Sequence, residues 1–299
     1  VRSTKAVRLK RIKPGYFNPP GGRPIFVPGF HWLMVTVLGP KGPPTLANLS
    51  WWTTRGELAT DRRSVEVAMM AETSERWGQE VIHVWDRGFA GKPWLTMAYV
   101  HAARFIMRWP KHYRLLDEQL RERKAWEITR GKRSWEKKLL YDARRRCYRK
   151  VGIVAAPVAD PQHGQPLTLV VARPGRGREP WYLLTNEPVR SADEAWRIVF
   201  AYARRWQVEM MFRYSKSELA FESIRVQRWE PRQKLLLIAT LAHAFLLTLL
   251  QPCFAPLTTR LLRQWCHRTG KRSRETPTPL YRLRAALSLL LLTHPPPLL

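Results

Sequence analysis

The prediction of the fold begins with residues 181–216, which read WYLLTNEPVRSADEAWRIVFAYARRWQVEMMFRYSK. Trp181–Thr185 is aromatic and aliphatic, and the turn-forming sequence Asn-Glu-Pro closes it, so a strand is predicted there. Ser191 stands three residues before Glu194, which is the spacing of a capping box, and apolar residues at helical spacing follow. The stretch therefore predicts a strand followed by a capped helix.

One face of the predicted helix carries an unusual set of polar side chains. At about 100° per residue, four of them fall within an arc of roughly 60°: Tyr202, Arg205, Glu209 and Lys216. We call this set the polar stripe. A carboxylate beside two cations and a phenol suits a metal-binding acid next to a phosphate backbone. The alternative is an ordinary amphipathic helix in which Arg205 and Glu209 form an ion pair, which stabilises a helix by only a few tenths of a kcal/mol.

The composition favours a folded protein that binds polyanions. The chain has 299 residues, enough to bury a sizeable core. Its 52 Lys and Arg against 23 Asp and Glu leave a net charge of +29, which predicts a strong, salt-dependent attraction to nucleic acid. Cys147, Cys253 and Cys266 lack metal-ligand spacing, and no apolar signal segment opens the chain. We therefore expect free thiols in a reducing, cytoplasmic compartment.

The patterns before residue 110 predict alternating strands and helices. Residues 1–24 are basic and rich in Pro and Gly, which indicates an extended arm or loop. After this arm the expected elements are a hairpin of 25–38 and 45–52, a helix over 61–77 with Asp61 near its N-cap, a strand over 81–85, a helix over 93–103 and a strand over 104–109.

The sequence changes in character from residue 104 to residue 180. Residues 104–150 carry 17 Lys and Arg against 6 Asp and Glu, with Trp and Tyr interleaved. Basic residues among aromatics are typical of a nucleic-acid surface, and the alternative is a solvated, charged insertion. Apolar runs at 151–158 and 168–173 indicate that this segment is largely β.

The last part of the chain is predicted to be helical, over 234–251, 257–267 and 280–292. Leu235–Leu250 is very apolar, but its roughly 16 residues fall short of the ~20 that a membrane span needs. It also contains His243. We expect a buried core helix, and a basic membrane-associated protein is the alternative.

Asp86 is the other candidate acid. It follows the predicted strand Val81–Trp85, where side chains of open α/β sheets face a ligand crevice, and Gly88 would let the backbone turn sharply after it. Together with Glu209 it would form a carboxylate pair suited to Mg²⁺ and to phosphoryl transfer. The alternative is an Asp that caps the next helix.

Several segments resemble the DDE transposases of bacterial insertion sequences, in the group with the Y-R-E-K signature. These are DRGF at 86–89, WYLLTNEPV at 181–189 and the polar stripe. The stretch from Gly29-Phe30-His31-Trp32 through Ser50-Trp51-Trp52 also resembles the second and third strands of that family's RNase H-like core. The resemblance covers most of residues 1–250.

The resemblance implies an α/β fold in four parts. The core is RNase H-like, with a mixed sheet and flanking helices. The four parts are core residues 1–103, a basic and mostly β insertion at 104–180, core residues 181–225, and a C-terminal helical region at 226–299.

The resemblance also implies roles for the polar residues. Asp86 and Glu209 match the second and third catalytic acids, which bind the metal. Tyr202, Arg205 and Lys216 match residues that contact the phosphates of the transposon end.

The implied function is cut-and-paste transposition of a mobile DNA element. With two Mg²⁺ or Mn²⁺ ions, such an enzyme cleaves one strand at the transposon end. The freed 3′-OH then attacks the opposite strand to form a hairpin, which reopens before transfer into target DNA. Trp181 matches a tryptophan that stacks on a flipped base at the hairpin, and a core Trp that opens a strand is the alternative.

The implied partners are double-stranded DNA, at transposon ends and target, and a second copy of the chain. The family implies a synaptic homodimer in the bacterial cytoplasm, at the nucleoid, with no membrane partner. The C-terminal helices are the candidate dimer contacts.

One departure from the family concerns its first catalytic Asp, which lies on the first core strand. Residues 1–60 contain no Asp, and their one acidic residue is Glu57. We expect that the chain is truncated at its N-terminus, without that strand and acid, and that it is inactive as given. The alternative function is that of a non-catalytic, DNA-binding transposase remnant.

Overall fold

A computed structural model gives the structure of the chain, and it describes residues 14–17, 25–28, 31–40, 42–52, 59–142, 147–175, 178–219, 229–266 and 280–295. The chain divides into two compact units. The sheet unit is Met70–Arg205, and the helical unit combines Val1–Met69 with Trp206–Leu299. These boundaries differ from the four predicted parts, because the predicted insertion packs together with parts of the predicted core.

The described residues form mixed α/β structure. In chain order the strands are β1 (Pro14–Phe17), β2 (Ile25–Pro28), β3 (His31–Val37), β4 (Thr45–Trp52), β5 (Ile82–Trp85), β6 (Arg104–Arg108), β7 (Arg114–Leu116), β8 (Glu122–Lys124), β9 (Glu136–Asp142), β10 (Cys147–Ala159), β11 (Pro166–Arg173) and β12 (Trp181–Thr185). The helices are α1 (Arg62–Trp77), α2 (Lys92–Val100), α3 (Ala125–Thr129), α4 (Ala192–Arg204), α5 (Trp206–Ser217), α6 (Trp229–Leu249), α7 (Ala255–Trp265) and α8 (Leu280–Thr293).

The sheet unit is built on one mixed sheet of eight strands. Their order is β5-β6-β12-β11-β10-β7-β8, with β9 paired to β10. β5 and β6 are parallel and are joined through α2, as in a βαβ unit, whereas the other pairs are antiparallel. The strands of the predicted insertion therefore extend the same sheet as β5 and β6.

Apolar clusters cover both faces of this sheet. Phe105 and Met107 on β6 belong to the cluster that includes α2, and Ile106 between them belongs to the cluster that includes α4. This alternation follows from the two-residue period of a strand. On the α4 side the largest fully buried side chain is Trp196. The two clusters fix the ends of β5, β6 and β12, where candidate functional residues lie.

The Asn186 side chain joins β12 to β6 beyond the end of their backbone pairing. The ladder ends where Thr185 faces Ile106. From there Asn186 Oδ1 accepts from the Phe105 backbone N–H at 2.8 Å, and Asn186 Nδ2 donates to the Ala103 carbonyl at 2.9 Å. Asn186, which was predicted to end the strand, therefore continues the pairing of β12 with β6 through its side chain.

Replacing Asn186 with alanine is expected to lower the free energy of unfolding by about 2 kcal/mol, because two buried backbone groups lose their partner. Urea denaturation would measure the change. In Asn186→Asp the carboxylate still accepts from the Phe105 N–H, but its second oxygen repels the Ala103 carbonyl oxygen, so this variant is also expected to be less stable than wild type. An alanine variant as stable as wild type would contradict this account.

Many of the sequence-based predictions in the sheet unit are confirmed. Trp181–Thr185 is β12, and the capping box is present: Ser191 Oγ accepts from the Glu194 backbone N–H at 3.2 Å, and Glu194 Oε2 accepts from the Ser191 N–H at 3.2 Å. The predicted strand after residue 80 is β5, and the predicted strand after residue 103 is β6.

The prediction of one continuous helix after Ser191 is wrong. Two helices, α4 and α5, are divided at Arg205, where the backbone N–H of Arg205 donates to the Tyr202 carbonyl at 3.0 Å. This bond spans only three residues and ends α4 with a 3₁₀ turn. No Gly or Pro marks the division in the sequence. It places Tyr202 and Arg205 in the sheet unit, and Glu209 and Lys216 in the helical unit.

The helical unit combines a hairpin with α5, α6, α7 and α8. β3 and β4 pair antiparallel, as predicted for the hairpin, but the predicted first strand 25–38 is divided into β2 and β3, and β2 pairs with β1. Asp61 caps α1 by accepting from the backbone N–H groups of Arg63 (2.8 Å) and Ser64 (3.1 Å). The core of the unit includes Met211 of α5 and Leu283 of α8. The predicted basic arm contains β1, which pairs with β2, and its remaining residues lie outside the described part of the chain.

α6 carries the one segment in the described ranges that is long and apolar enough to cross a membrane, Glu230–Leu249, with a mean hydropathy of 1.3. Its most apolar window is 39% buried. The predicted core helix is confirmed for one face, where Leu236 and Leu246 are buried. Leu237 and Leu241 on another face are exposed.

Candidate functional site

Asp86 lies directly after β5, as predicted. Its Oδ1 accepts from the backbone N–H of Arg87 at 2.7 Å, and its carbonyl accepts from the N–H of Phe89 at 2.9 Å. Asp86 thereby caps the single 3₁₀ turn Arg87–Phe89. The capping alternative is therefore correct for this short turn but not for α2. About half of the Asp86 side chain (47%) is exposed, so the carboxylate also remains accessible.

The sharp turn after Asp86 does not depend on Gly88. The residue in a backbone conformation that favours glycine is Gly91, with φ of +129°, which is the N-cap of α2. The prediction was therefore wrong about which glycine is required in this loop.

Tyr202 holds the Asp86 carboxylate from the end of α4. Its hydroxyl donates to Asp86 Oδ1 at 3.2 Å, and the residue is only 2% exposed. Burial raises the pKa of the Tyr202 phenol, and the Asp86 charge raises it further, so the hydroxyl keeps its proton. In this arrangement the phenol positions Asp86 and faces away from solvent.

Arg205 supplies the positive charge beside the carboxylate. Its Nη1 lies 3.6 Å from Asp86 Oδ2, and its guanidinium carbon lies 5.6 Å from the centre of the Tyr202 ring. The structure thus brings together three of the predicted site residues, although 116 residues separate Asp86 from Tyr202 in the sequence.

Trp181 adds an aromatic surface to the same cluster. It is partly buried, and its ring meets the Tyr202 ring edge to face at 5.2 Å between centres. The guanidinium carbon of Arg108 lies 5.9 Å from the centre of the Trp181 ring. We call Asp86, Trp181, Tyr202, Arg205 and Arg108 the acid–arginine cluster.

Charged side chains extend the cluster along the surface. Glu179 lies between two cations, 3.7 Å from Arg87 Nη1 and 3.5 Å from Lys111 Nζ. With Arg108 and Arg205, four cations surround two carboxylates in this region. The excess of two positive charges favours an anionic ligand.

Reasoning from the sequence missed Arg108, Lys111 and Glu179 as members of this region. Arg108 reaches Trp181 because β6 pairs with β12, with Arg108 opposite Leu183. The local signal was only the abundance of basic residues after residue 103, which does not distinguish one arginine from another.

Glu209 and Lys216 lie on α5, in the helical unit. Glu209 is partly buried in the first turn of α5, and Lys216 is exposed in the last turn. Because Asp86 belongs to the sheet unit, the pairing of its carboxylate with that of Glu209 stays a prediction.

The described residues do not by themselves provide a complete divalent-metal site. No three His, Cys, Asp or Glu side chains converge anywhere within the described ranges. Asp86 has an accessible carboxylate, but its nearest charged partner is an arginine. One carboxylate paired with a cation is a poor match for Mg²⁺, which takes carboxylate and phosphate oxygens.

Comparison with known protein families finds no family that matches this chain, and no curated protein matches it.

Proposed function

We propose that this chain acts on DNA as the DDE transposases that it resembles do, by cleaving transposon ends and joining them to target DNA. The supporting observation is the contact of Asp86 with Tyr202 and Arg205. The resemblance selects Asp86 and Tyr202 from segments 116 residues apart, and their side chains are hydrogen-bonded. On an ordinary surface helix, Tyr202 and Arg205 would not be expected to contact the Asp86 carboxylate.

Arg205 and Arg108 are the groups of the acid–arginine cluster suited to bind DNA phosphates. A guanidinium can hold a phosphate through two parallel hydrogen bonds. Arg205 is paired with Asp86 at 3.6 Å, which is longer than a close charge-assisted hydrogen bond. A phosphate can therefore compete for this guanidinium, and Tyr202 keeps the Asp86 carboxylate in position when Arg205 turns towards the DNA.

Trp181 is the residue that we propose stacks on an unpaired base at the cleaved end. Stacking on an aromatic ring contributes about 1–3 kcal/mol per base. The ring is partly buried against Tyr202, which limits its own movement. A base would take the position over the ring that the Arg108 guanidinium approaches in this structure.

Mg²⁺ or Mn²⁺ enters this proposal only through the resemblance, in which two ions supply the chemistry of strand cleavage. Asp86 and Glu209 are the residues proposed to hold it. We assign no reaction step to the metal.

We also propose that the sheet unit contains the RNase H-like core. The parallel unit of β5, α2 and β6 and the helices packed on both faces support this assignment. The strands β7 to β11, which lie within the predicted insertion 104–180, then continue the core sheet.

The second candidate function is that of a non-catalytic DNA-binding protein. The observation that favours it is the presence of Arg87, Lys111 and Arg205 beside Asp86 and Glu179, since cations can bind phosphates without any chemical step. The cations of the acid–arginine cluster would serve this function equally well.

One experiment separates these functions. Binding of a fluorescent duplex is measured at salt concentrations from about 50 to 200 mM, and nicking of the same duplex is measured with and without Mg²⁺. Transposase chemistry predicts both tight, salt-dependent binding and Mg²⁺-dependent nicking. Binding without nicking supports the non-catalytic function. A chain that binds no DNA at low salt refutes both, because its net charge of +29 would then serve another purpose.

The homodimer that the resemblance implies is proposed to form through α6. Its exposed residues Leu237, Leu241 and Phe245 recur at four-residue spacing and form an apolar stripe. Leu241→Glu is expected to convert a dimer into a monomer of 35.1 kDa in analytical ultracentrifugation, because two glutamates would be buried face to face. Leu257→Glu on α7 is the control with a similarly exposed leucine. A wild-type chain that is monomeric at high concentration would contradict the proposal.

A further inference from the structure

The β9–β10 ribbon extends beyond the rest of the sheet. It consists of β9 and the first part of β10, Cys147–Val151. β11 pairs with β10 only from Gly152 onward, so within the described residues Cys147–Val151 pairs with β9 alone. A two-stranded segment that leaves a larger sheet has two faces and can present one of them to a partner.

The inner face of the ribbon is occupied by the protein itself. Val151 and Ile153 are buried in the cluster that contains Trp196 of α4. Lys138, which faces Val151 across the pair, places its Nζ 5.4 Å from the centre of the Trp196 ring. Around Val151 this face is therefore part of the core and is closed to a ligand.

The outer face carries large, exposed side chains. Residues directly opposite each other in an antiparallel pair share a face, and Leu139 lies opposite Lys150. The exposed fraction is 65% for Leu139 and 67% for Tyr148. Large side chains at such exposure on one face of the ribbon mark a contact surface.

The charge of the outer face is positive. Lys137 and Lys150 are both exposed, and none of the other outer-face side chains within the described part of the ribbon is acidic. Glu136 belongs to the inner face, where its Oε2 lies 3.6 Å from Lys138 Nζ. The residues that join the two strands, 143–146, read Ala-Arg-Arg-Arg in the sequence and lie outside the described residues.

We propose that the outer face of the β9–β10 ribbon, with Lys137, Leu139, Tyr148 and Lys150, is a second DNA-binding surface and that it binds duplex DNA. Lysines without acidic neighbours suit phosphates, and the major groove of B-DNA admits a two-stranded ribbon. Aromatic and leucine side chains between the lysines can contact sugars and thymine methyl groups. This inference rests on the proposed function, because it takes DNA as the partner, but it does not depend on the chemistry at Asp86.

The test is the double variant Lys137→Ala with Lys150→Ala, studied on the full chain. Because each phosphate contact contributes about 0.9 to the salt dependence of log K, the slope of log K against log salt is expected to become shallower by about 2. Both lysines are exposed, so melting curves should match those of wild type.

The control is Lys92→Ala with Lys234→Ala, which removes the same charge from two exposed lysines on α2 and α6. An equal change of slope in this control would overturn the proposal, because net charge alone would then explain binding. An unchanged slope in the ribbon variant would also overturn it. If the wild-type chain binds no duplex at all, the proposed function fails together with this inference.

A second variant tests the apolar part of the surface. Leu139→Glu puts a negative charge at the centre of the outer face, where the side chain is two-thirds exposed and contributes little packing. Affinity for duplex DNA is expected to fall about tenfold or more, because the carboxylate repels phosphates. An affinity equal to that of wild type would overturn the proposal. Loss of affinity for a single-stranded oligonucleotide only would overturn the assignment to duplex DNA.

Discussion

Under the proposed transposase function, replacing Asp86 with asparagine is expected to lower the Mg²⁺-dependent nicking of DNA about 10²–10³-fold; under the non-catalytic function, nicking stays at background in both chains. Asparagine has the same shape, and its Oδ1 can still accept from Tyr202 and from the Arg87 backbone N–H. Only the negative charge and the pairing with Arg205 are lost. DNA affinity should stay the same or rise slightly, because removing an acid from among the arginines strengthens their attraction to phosphates. Nicking rates and anisotropy titrations of the same preparations measure both effects.

Asp193→Asn is the matched control for this prediction. Its side chain is 80% exposed on α4, and the substitution removes the same charge from the same unit. Equal loss of nicking in both variants would mean that net charge, and not the site, determines the rate. Wild-type nicking by Asp86→Asn would remove Asp86 from the reaction. Glu209→Gln is expected to match Asp86→Asn, and a difference between them would show that the two acids have different roles.

Local patterns predicted the elements that carry the site. β12 and the capping box before α4 follow from residues within a few positions of one another, and Ser191 with Glu194 needs no tertiary contact to be recognised. The position of Asp86 also follows from a short apolar run that ends in a polar residue. Each of these features depends on interactions between residues that lie close together in the sequence.

Tertiary contacts determined the parts that could not be predicted. The side-chain bonds of Asn186 to the backbone around Phe105 join residues about 80 positions apart. The stacking of Arg108 on Trp181 depends on the order of strands in the sheet. The division at Arg205 has no local signal, because helix propensity is high on both sides of it. Of the polar stripe, Tyr202 and Arg205 belong to the sheet unit, and Glu209 and Lys216 belong to the helical unit.

Acidification from pH 6.5 to about 4 is expected to remove about 3 kcal/mol of stability from the helical unit through one residue, His243. This side chain is 1% exposed, and its Nδ1 lies 3.0 Å from Ser215 Oγ. Its Nε2 is buried without a hydrogen-bond partner in the described structure. Burial lowers the pKa of His243 from 6.5 to about 4, because a charged ring would lose its hydration.

Stability falls on acidification because His243 has different pKa values in the folded and in the unfolded chain. Above pH 6.5 the ring is neutral in both the folded and the unfolded chain, and stability does not depend on it. Between pH 6.5 and 4 only the unfolded chain takes up the proton, so the unfolded state gains about 1.4 kcal/mol per pH unit. Below pH 4 both states are protonated and the loss stops. His31 and His83, whose pKa values burial also lowers, add losses of the same sign.

His243→Asn isolates this contribution, because asparagine can still bond to Ser215 and does not titrate. The difference in unfolding free energy between about pH 7.5 and pH 4, from urea denaturation, should be smaller in this variant than in wild type by about 3 kcal/mol. His112→Gln, at an exposed position, should leave the difference unchanged. If the asparagine variant does not fold, NMR titration of the wild-type ring gives the same answer, and a folded-state pKa near 6.5 would contradict the burial of a neutral histidine between α5 and α6.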